Sequence, residues 1–175
     1  MAVGQRLHCA FALDLELAEN FFYDKINAPM VTLRFLHYPT VGASPESDST
    51  ARGQAGAGTH TDYGNVTLLA TDDVAGLQVC TCDGSWIYAP SIAGAFICNI
   101  GDCLMRWAND VYVSTPHRVL PPQRERFSNA FFLDPNPDAL VCAIPSCVPQ
   151  GESPRYASIA AADYLRERFA ATYAT

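Results

Sequence analysis

The chain has 175 residues, 49% hydrophobic and 17% charged. That is one domain's length, enough to bury roughly 70% of the unfolded surface, and it excludes a disordered chain. The balance of 11 Lys+Arg against 18 Asp+Glu leaves a net charge of −7, which disfavours nucleic acid and anionic membrane surfaces as partners.

In chain order, residues 7–26 are predicted helical, with Leu13, Leu17 and Phe21 on one face. The start, Met1 to Leu15, has no signal-peptide h-region, and no apolar run reaches the roughly 20 residues of a membrane span. Thr32 to Tyr38 reads as a strand closed by Pro39. Thr40 to Gly58 is rich in Gly, Ser, Ala, Pro and Asp and reads as a solvated loop. Its Gly53-Gln54-Ala55-Gly56-Ala57-Gly58 run lacks the Lys-Ser/Thr of a phosphate loop.

Short β-like runs then follow at Thr67–Ala70, Gly76–Cys80, Trp86–Ala89, Ala95–Ile100, Leu104–Trp107, Ser114–Val119 and Phe127–Leu133. Asp83-Gly84 and Asn109-Asp110 punctuate them as turns, and Asp102 reads as a turn former too. So many short strands imply a mainly β sandwich or barrel. A last helix is expected over about 158–173, capped by Ser158, with Leu165, Phe169 and Tyr173 as its buried stripe. There is no internal repeat. The seven cysteines, several in apolar stretches (Cys98, Cys103, Cys142), predict reduced, buried thiols in a cytoplasmic protein. Cys80 and Cys82 have no second pair nearby, which argues against a zinc ribbon.

His60-Thr61-Asp62 carries the chemistry. On an extended backbone, residues i and i+2 project to the same side, roughly 6.6 Å apart, so an imidazole and a carboxylate can converge on one cation. His117, in a further β-like run, is the candidate third ligand. Two His and one carboxylate leave open positions suited to non-haem Fe(II), although a catalytic Zn²⁺ site can have three ligands as well. Arg126 and Ser128 fall on one face of an apolar strand. A guanidinium and a hydroxyl so placed form a carboxylate clamp, and burial without an anionic partner would be costly.

These residues sit in ordered blocks: Thr59-His60-Thr61-Asp62-Tyr63-Gly64, Gly76-Leu77-Gln78-Val79, Asn99-Ile100-Gly101-Asp102, Arg106-Trp107-Ala108-Asn109-Asp110, Ser114-Thr115-Pro116-His117-Arg118-Val119 and Arg126-Phe127-Ser128. From about Thr32 to Tyr173 the chain resembles the Fe(II)/2-oxoglutarate-dependent dioxygenases, and within them the isopenicillin-N-synthase-like family. The resemblance implies a double-stranded β-helix (jelly roll) with flanking N- and C-terminal helices, as a single catalytic domain over 1–175 with its core at about 32–142. It implies Fe(II) on His60, Asp62 and His117, with 2-oxoglutarate and O2 as co-substrates. Arg126 and Ser128 would hold the distal carboxylate, and Tyr38 matches a family position that reaches the co-substrate. Leu36 stands where the family often has Asn. Hydroxylation of a small organic substrate is the implied reaction, with desaturation or cyclisation as variants.

Two alternatives are a family oxidase that uses no 2-oxoglutarate, and a non-catalytic member that binds metal and 2-oxoglutarate. Family members usually carry a longer N-terminal segment, and Met1 falls inside what resembles its last helix. Either the chain is a shortened product or fragment, or a partner or self-association covers the face so left. Trp107 and Phe132 read as core residues. Arg106 is open between an acidic partner and the pocket.

Overall fold

The computed structural model describes residues 1–40 and 56–173. Most of the Thr40–Gly58 segment, including Gly53 to Ala55, lies outside the described residues, as does the side chain of Tyr173.

Helix α1 (Ala2–Asp14) is followed by β1 (Val31–Tyr38), β2 (Ala57–His60), β3 (Val66–Thr71), β4 (Leu77–Cys80), β5 (Trp86–Tyr88) and β6 (Ile97–Ile100). Then come α2 (Asp102–Trp107), β7 (His117–Val119), β8 (Arg126–Leu133), β9 (Leu140–Val141), β10 (Ile159–Ala160) and α3 (Ala161–Tyr173). Eight strands form two antiparallel four-stranded sheets, ordered β1-β8-β3-β6 and β2-β7-β4-β5, while β9 and β10 make a small third ladder. This is the jelly roll.

The two sheets face each other. Leu69 on β3 and Ala130 on β8 meet Leu77 on β4 and Val119 on β7 in one buried cluster. Strand β8 shows why: Arg126, Ser128 and Ala130 are buried while Phe127 and Asn129 are exposed, the period-2 signature of a half-covered strand. A larger core lies on the other face of the first sheet, where Val66 and Leu133 meet α1, α2 and α3 through Ala12, Leu104, Trp107 and Ala161. Gly4 of α1 sits so close that a Cβ there would run into the side chain of the fully buried Leu133.

Four expectations are corrected. The first helix ends at Asp14, because Glu16 takes a left-handed conformation (φ 58°) and turns the chain. Leu13 is therefore 59% exposed, while Leu17 and Phe21 pack on the core from the following loop. Leu104–Trp107 is helix α2 rather than a strand: Gly101 takes the extended N-cap conformation and Asp102 supplies the acidic first turn. Ser158 does not cap the last helix, since β10 intervenes. The first α3 amides, Ala161 and Ala162, donate to the carbonyls of Ala139 and Pro137 at 2.9 and 3.0 Å. Of the α3 stripe, Leu165 is buried and Phe169 is 45% exposed, and Tyr164 takes the place beside Leu165.

The turns at Asp83-Gly84 and Asn109-Asp110 match expectation, whereas Asp102, expected in a turn, is the first residue of α2. Gly84 has φ 84° between β4 and β5, and Asn109 and Asp110 have φ 50° and 71°. All seven cysteines are free, but only Cys103 is buried and Cys98 is exposed.

Candidate active site

Strands β2 and β7 pair so that His60 lies directly opposite His117, which puts both imidazoles on one face with ring centroids 4.3 Å apart. Asp62 follows just past the end of β2. The three residues each offer a ligand atom, and these atoms all lie within 4.8 Å of one another. Asp62 and His117 are buried, while His60 is exposed at the mouth.

Both rings are oriented by the same device. Nδ1 of His60 donates to the Gly58 carbonyl at 2.7 Å, and Nδ1 of His117 donates to the Thr115 carbonyl at 3.0 Å. A carbonyl can only accept, so Nδ1 carries a proton and Nε2 is the ring nitrogen left free to meet a ligand. Asp62 Oδ1 lies 3.7 Å from His117 Nε2, and Asn99 donates to Asp62 Oδ2 at 3.4 Å. Two imidazole nitrogens and a carboxylate oxygen within 4.8 Å of one another are a ligand set suited to a divalent transition metal.

The loop carrying Asp62 is held from beneath. The amides of Gly101, Asp102 and Cys103, at the start of α2, donate to the carbonyls of Asn65, Asp62 and Gly64 at 2.7, 2.8 and 2.9 Å. The unpaired N–H groups of a helix start are thus spent on the ligand loop. Asp134 packs against Gly64, and burial together with the charge of Asp62 pushes its carboxyl up to about 6.

Across the cavity stands Arg126, 1% exposed. Its guanidinium donates to Thr71 Oγ1 at 3.0 Å, the Val74 carbonyl at 3.3 Å and Ser128 Oγ at 3.5 Å, and lies 4.9 Å from the centroid of the Tyr38 ring. All of these groups are neutral. Among the described residues Arg126 forms no ion pair. A buried guanidinium without an anion costs several kcal/mol, roughly, so this end of the cavity fits a ligand carboxylate. The cavity, about 150 Å³, is lined by His60, Asp62, His117, Tyr38, Arg126 and Ser128 among others. A larger one of about 420 Å³ lies against α1 around His8 and Phe22 and shares no residue with the cluster. Donors and guanidinium converge only on the first.

The model of the 2OG-Fe(II) oxygenase superfamily matches residues 29–135. The chain belongs to this superfamily. A 2-oxoglutarate-Fe(II) type oxidoreductase, hxnY, of Emericella nidulans is 40% identical over 164 residues, covering 93% of this chain and 46% of that protein. A full-length Neurospora crassa protein, solved in complex with alpha-KG, superposes with TM-score 0.86 at 35% identity, over 98% of this chain and 54% of that one. JOX2, solved with 2OG, Fe and JA, superposes with TM-score 0.78 at 30% identity, over 96% and 48%. The chain spans about half the length of the relatives it matches.

All six residues singled out in the sequence, His60, Asp62, His117, Arg126, Ser128 and Tyr38, meet at this one oxygenase-type cavity. Leu36 lies opposite Ser128 in the β1–β8 pair and puts an apolar side chain on the cavity wall. Trp107 is core, donating its indole N–H to the Leu140 carbonyl, whereas Phe132 lines the cavity. Arg106 takes neither expected role: its guanidinium stacks on the rings of Tyr156 and Tyr164 and donates to the Ala157 carbonyl. Sequence reasoning missed Thr71 and Asn99, because nothing in a strand's pattern says which neighbour it will meet across a sheet.

Proposed function

We propose that this protein is an Fe(II)- and 2-oxoglutarate-dependent oxygenase acting on a small organic substrate. His60, Asp62 and His117 hold the metal, and Arg126 with Ser128 receives the distal carboxylate of 2-oxoglutarate. The observation that carries the reading is the buried Arg126, without an acidic partner among the described residues, in the same cavity as the convergent His60, Asp62 and His117. The relatives with 2-oxoglutarate in their names, and the solved structures with alpha-KG or 2OG and Fe bound, support it.

Bound Fe(II) supplies the activation of O2 that couples decarboxylation of 2-oxoglutarate to oxidation of a substrate C–H bond. The chain's own residues do the rest. The two Nδ1–H bonds fix ring orientation, and three ligands leave metal positions for small molecules. Arg126 sets the co-substrate's direction by a charge-assisted pair. Tyr38 covers the guanidinium and excludes water. The isopenicillin-N-synthase-like assignment belongs to this proposal, supported by the block order. So does a cytoplasmic location, supported by seven free thiols. The exposed row of Leu33 and Phe35 on β1, with Phe127 on β8, supports a covered face, by further chain, a partner or a second copy.

Anaerobic addition of Fe(II) and 2-oxoglutarate tests the reading. A weak visible charge-transfer band is expected in the native chain and lost in Asp62→Ala; no band in the native chain overturns the proposal.

A further inference from the structure

His60 and His117 are set by the β2–β7 ladder, but Asp62 lies past the end of β2, outside that ladder. Its carboxylate is therefore placed by whatever holds the loop. The α2 amides hold it on one side, and α3 holds it on another.

Tyr63, the residue after Asp62, is gripped by three α3 side chains. The Arg168 guanidinium lies 4.6 Å from the centroid of the Tyr63 ring, and Phe169 meets that ring edge-on at 5.7 Å. Thr172 Oγ1 donates to the Arg168 carbonyl at 3.0 Å. Its one hydroxyl proton is thus engaged, so the Tyr63 hydroxyl is the donor in the 2.5 Å bond between the two. Tyr164, Arg168 and Thr172 recur every fourth residue of α3 and so share one face of the helix. At the other end of that row Tyr164 donates to Asp102 Oδ2, and Arg168 Nε stands 3.6 Å from the same oxygen. Arg168 Nε is buried and has no hydrogen-bond partner among the described residues. The guanidinium is instead held between an aromatic face and a carboxylate, both of which support the loop. Tyr63 is joined to Asp62 by the chain, and the Asp102 amide donates to the Asp62 carbonyl. Tyr63, Asp102 and Arg168 are all absent from the cavity lining, so they reach the metal cluster only through Asp62.

We propose that Arg168 is a positioning residue for the metal centre: by bracing Tyr63 and Asp102 together it fixes the Asp62 carboxylate toward His60 and His117, and α3 thereby sets metal affinity. This rests on the reading of those three residues as Fe(II) ligands. A ligand loop ordered on folding does not have to be ordered again when the metal binds, so binding is not weakened by that lost entropy. Groups behind the ligands act on affinity in this way without touching the ion. Arg168 suits the position because its flat guanidinium can stack on a ring and face a carboxylate edge at once.

The test compares the native chain with Arg168→Met, Tyr63→Phe and Leu165→Val. The last takes apolar packing from α3 and leaves its polar contacts in place. Each is titrated anaerobically with Fe(II) at saturating 2-oxoglutarate, read by the visible charge-transfer band, and each is melted without metal. Arg168→Met should raise half-saturation by Fe(II) roughly tenfold or more, and Tyr63→Phe should raise it by a smaller factor. Leu165→Val should lower the melting temperature yet keep Fe(II) half-saturation within about twofold of native, since additive core losses do not reach the loop. Once Fe(II) is saturating, half-saturation by 2-oxoglutarate in Arg168→Met should match native, because Arg126 is untouched. Native Fe(II) half-saturation in Arg168→Met overturns the proposal; where that variant does not fold, the same result in Tyr63→Phe overturns it. A rise in Leu165→Val equal to that in Arg168→Met also overturns it, since α3 would then act only through stability. Absence of the band in the native chain overturns the Fe(II) reading and this proposal together; a normal native band with unshifted variants overturns this proposal alone.

Discussion

The backbone amide of Asp102 donates to the carbonyl oxygen of Asp62 at 2.8 Å, joining the first turn of α2 to the loop that carries the carboxylate of the metal cluster. Gly101, one residue earlier, makes this approach physically admissible: a Cβ there would collide with the Gly64 carbonyl oxygen and lie 3.1 Å from that of Asp62. Both obstacles are backbone and cannot rotate away. Gly101→Ala should therefore push the ligand loop out, costing roughly 1–3 kcal/mol in stability and weakening metal affinity roughly 10- to 100-fold. Denaturant melts and Fe(II) titrations check both; native-like metal affinity in a folded variant contradicts the account.

Removing the Arg126 charge separates two roles that a single activity assay would merge. Arg126→Met should weaken 2-oxoglutarate binding roughly 100-fold or more, since charge-assisted hydrogen bonds are lost. Metal binding should persist, because His60, Asp62 and His117 are untouched. Without ligand the variant should be no less stable than the native chain, within about 1 kcal/mol, because a buried charge with no anionic partner is itself a burden. Thermal melts with and without 2-oxoglutarate, together with an Fe(II) titration, read all three, and a large loss of stability in the ligand-free variant would mean that Arg126 already has an internal anion.

His8 on α1 offers a pH test. It is 1% exposed; its Nδ1 donates to the Gly4 carbonyl at 2.8 Å, and its Nε2 accepts from the Asn65 amide at 3.2 Å. Protonation would set an N–H against that amide, and burial lowers the ring's pKa from 6.5. The folded state therefore binds fewer protons than the unfolded one below that value. The His8 contribution to stability should be level above about pH 6.5 and decline as pH falls below it, until the folded-state pKa is passed; Asp134, its carboxyl raised to about 6, acts with the opposite sign in that window. The His8 part is therefore read as the difference between native chain and His8→Gln, which should shrink as pH falls below about 6.5; a difference independent of pH contradicts the account.

Tyr164 tests the grip of the last helix. Its hydroxyl donates to Asp102 Oδ2 at 2.9 Å, and Asp102 is 4% exposed. The remaining cation there, Arg168 Nε, is 3.6 Å away and out of hydrogen-bond range. Tyr164→Phe keeps the ring in the core but leaves a buried carboxylate short of a donor. A loss of about 1–2 kcal/mol is expected in denaturant unfolding, whereas a neutral result would show Asp102 satisfied by water.

The cluster itself was legible in the chain because its chemistry is rare and its local spacing is short. His60 and Asp62 are two apart, and Arg126 and Ser128 share a face for the same reason, the period of an extended backbone. Turn signals at Asp83-Gly84 and Asn109-Asp110 were legible too, since positive φ is tolerated by few residue types. Periodicity misled where chain direction changed. Leu13, Leu17 and Phe21 keep a four-residue spacing across a break at Glu16, and a spacing carries no record of the turn between its members.

The amino-acid sequence by itself determined which groups could do chemistry: two imidazoles, a carboxylate and an arginine beside a serine, on strands short enough to require a two-sheet fold. Only the tertiary structure decided that His60 stands opposite His117 and that Arg126 has no acid among its described neighbours. The reason is physical. Local pattern states which face a side chain shares with its near neighbours, whereas the partner across a ladder and the sign of its charge depend on sheet order and register, which arise from contacts between distant parts of the chain.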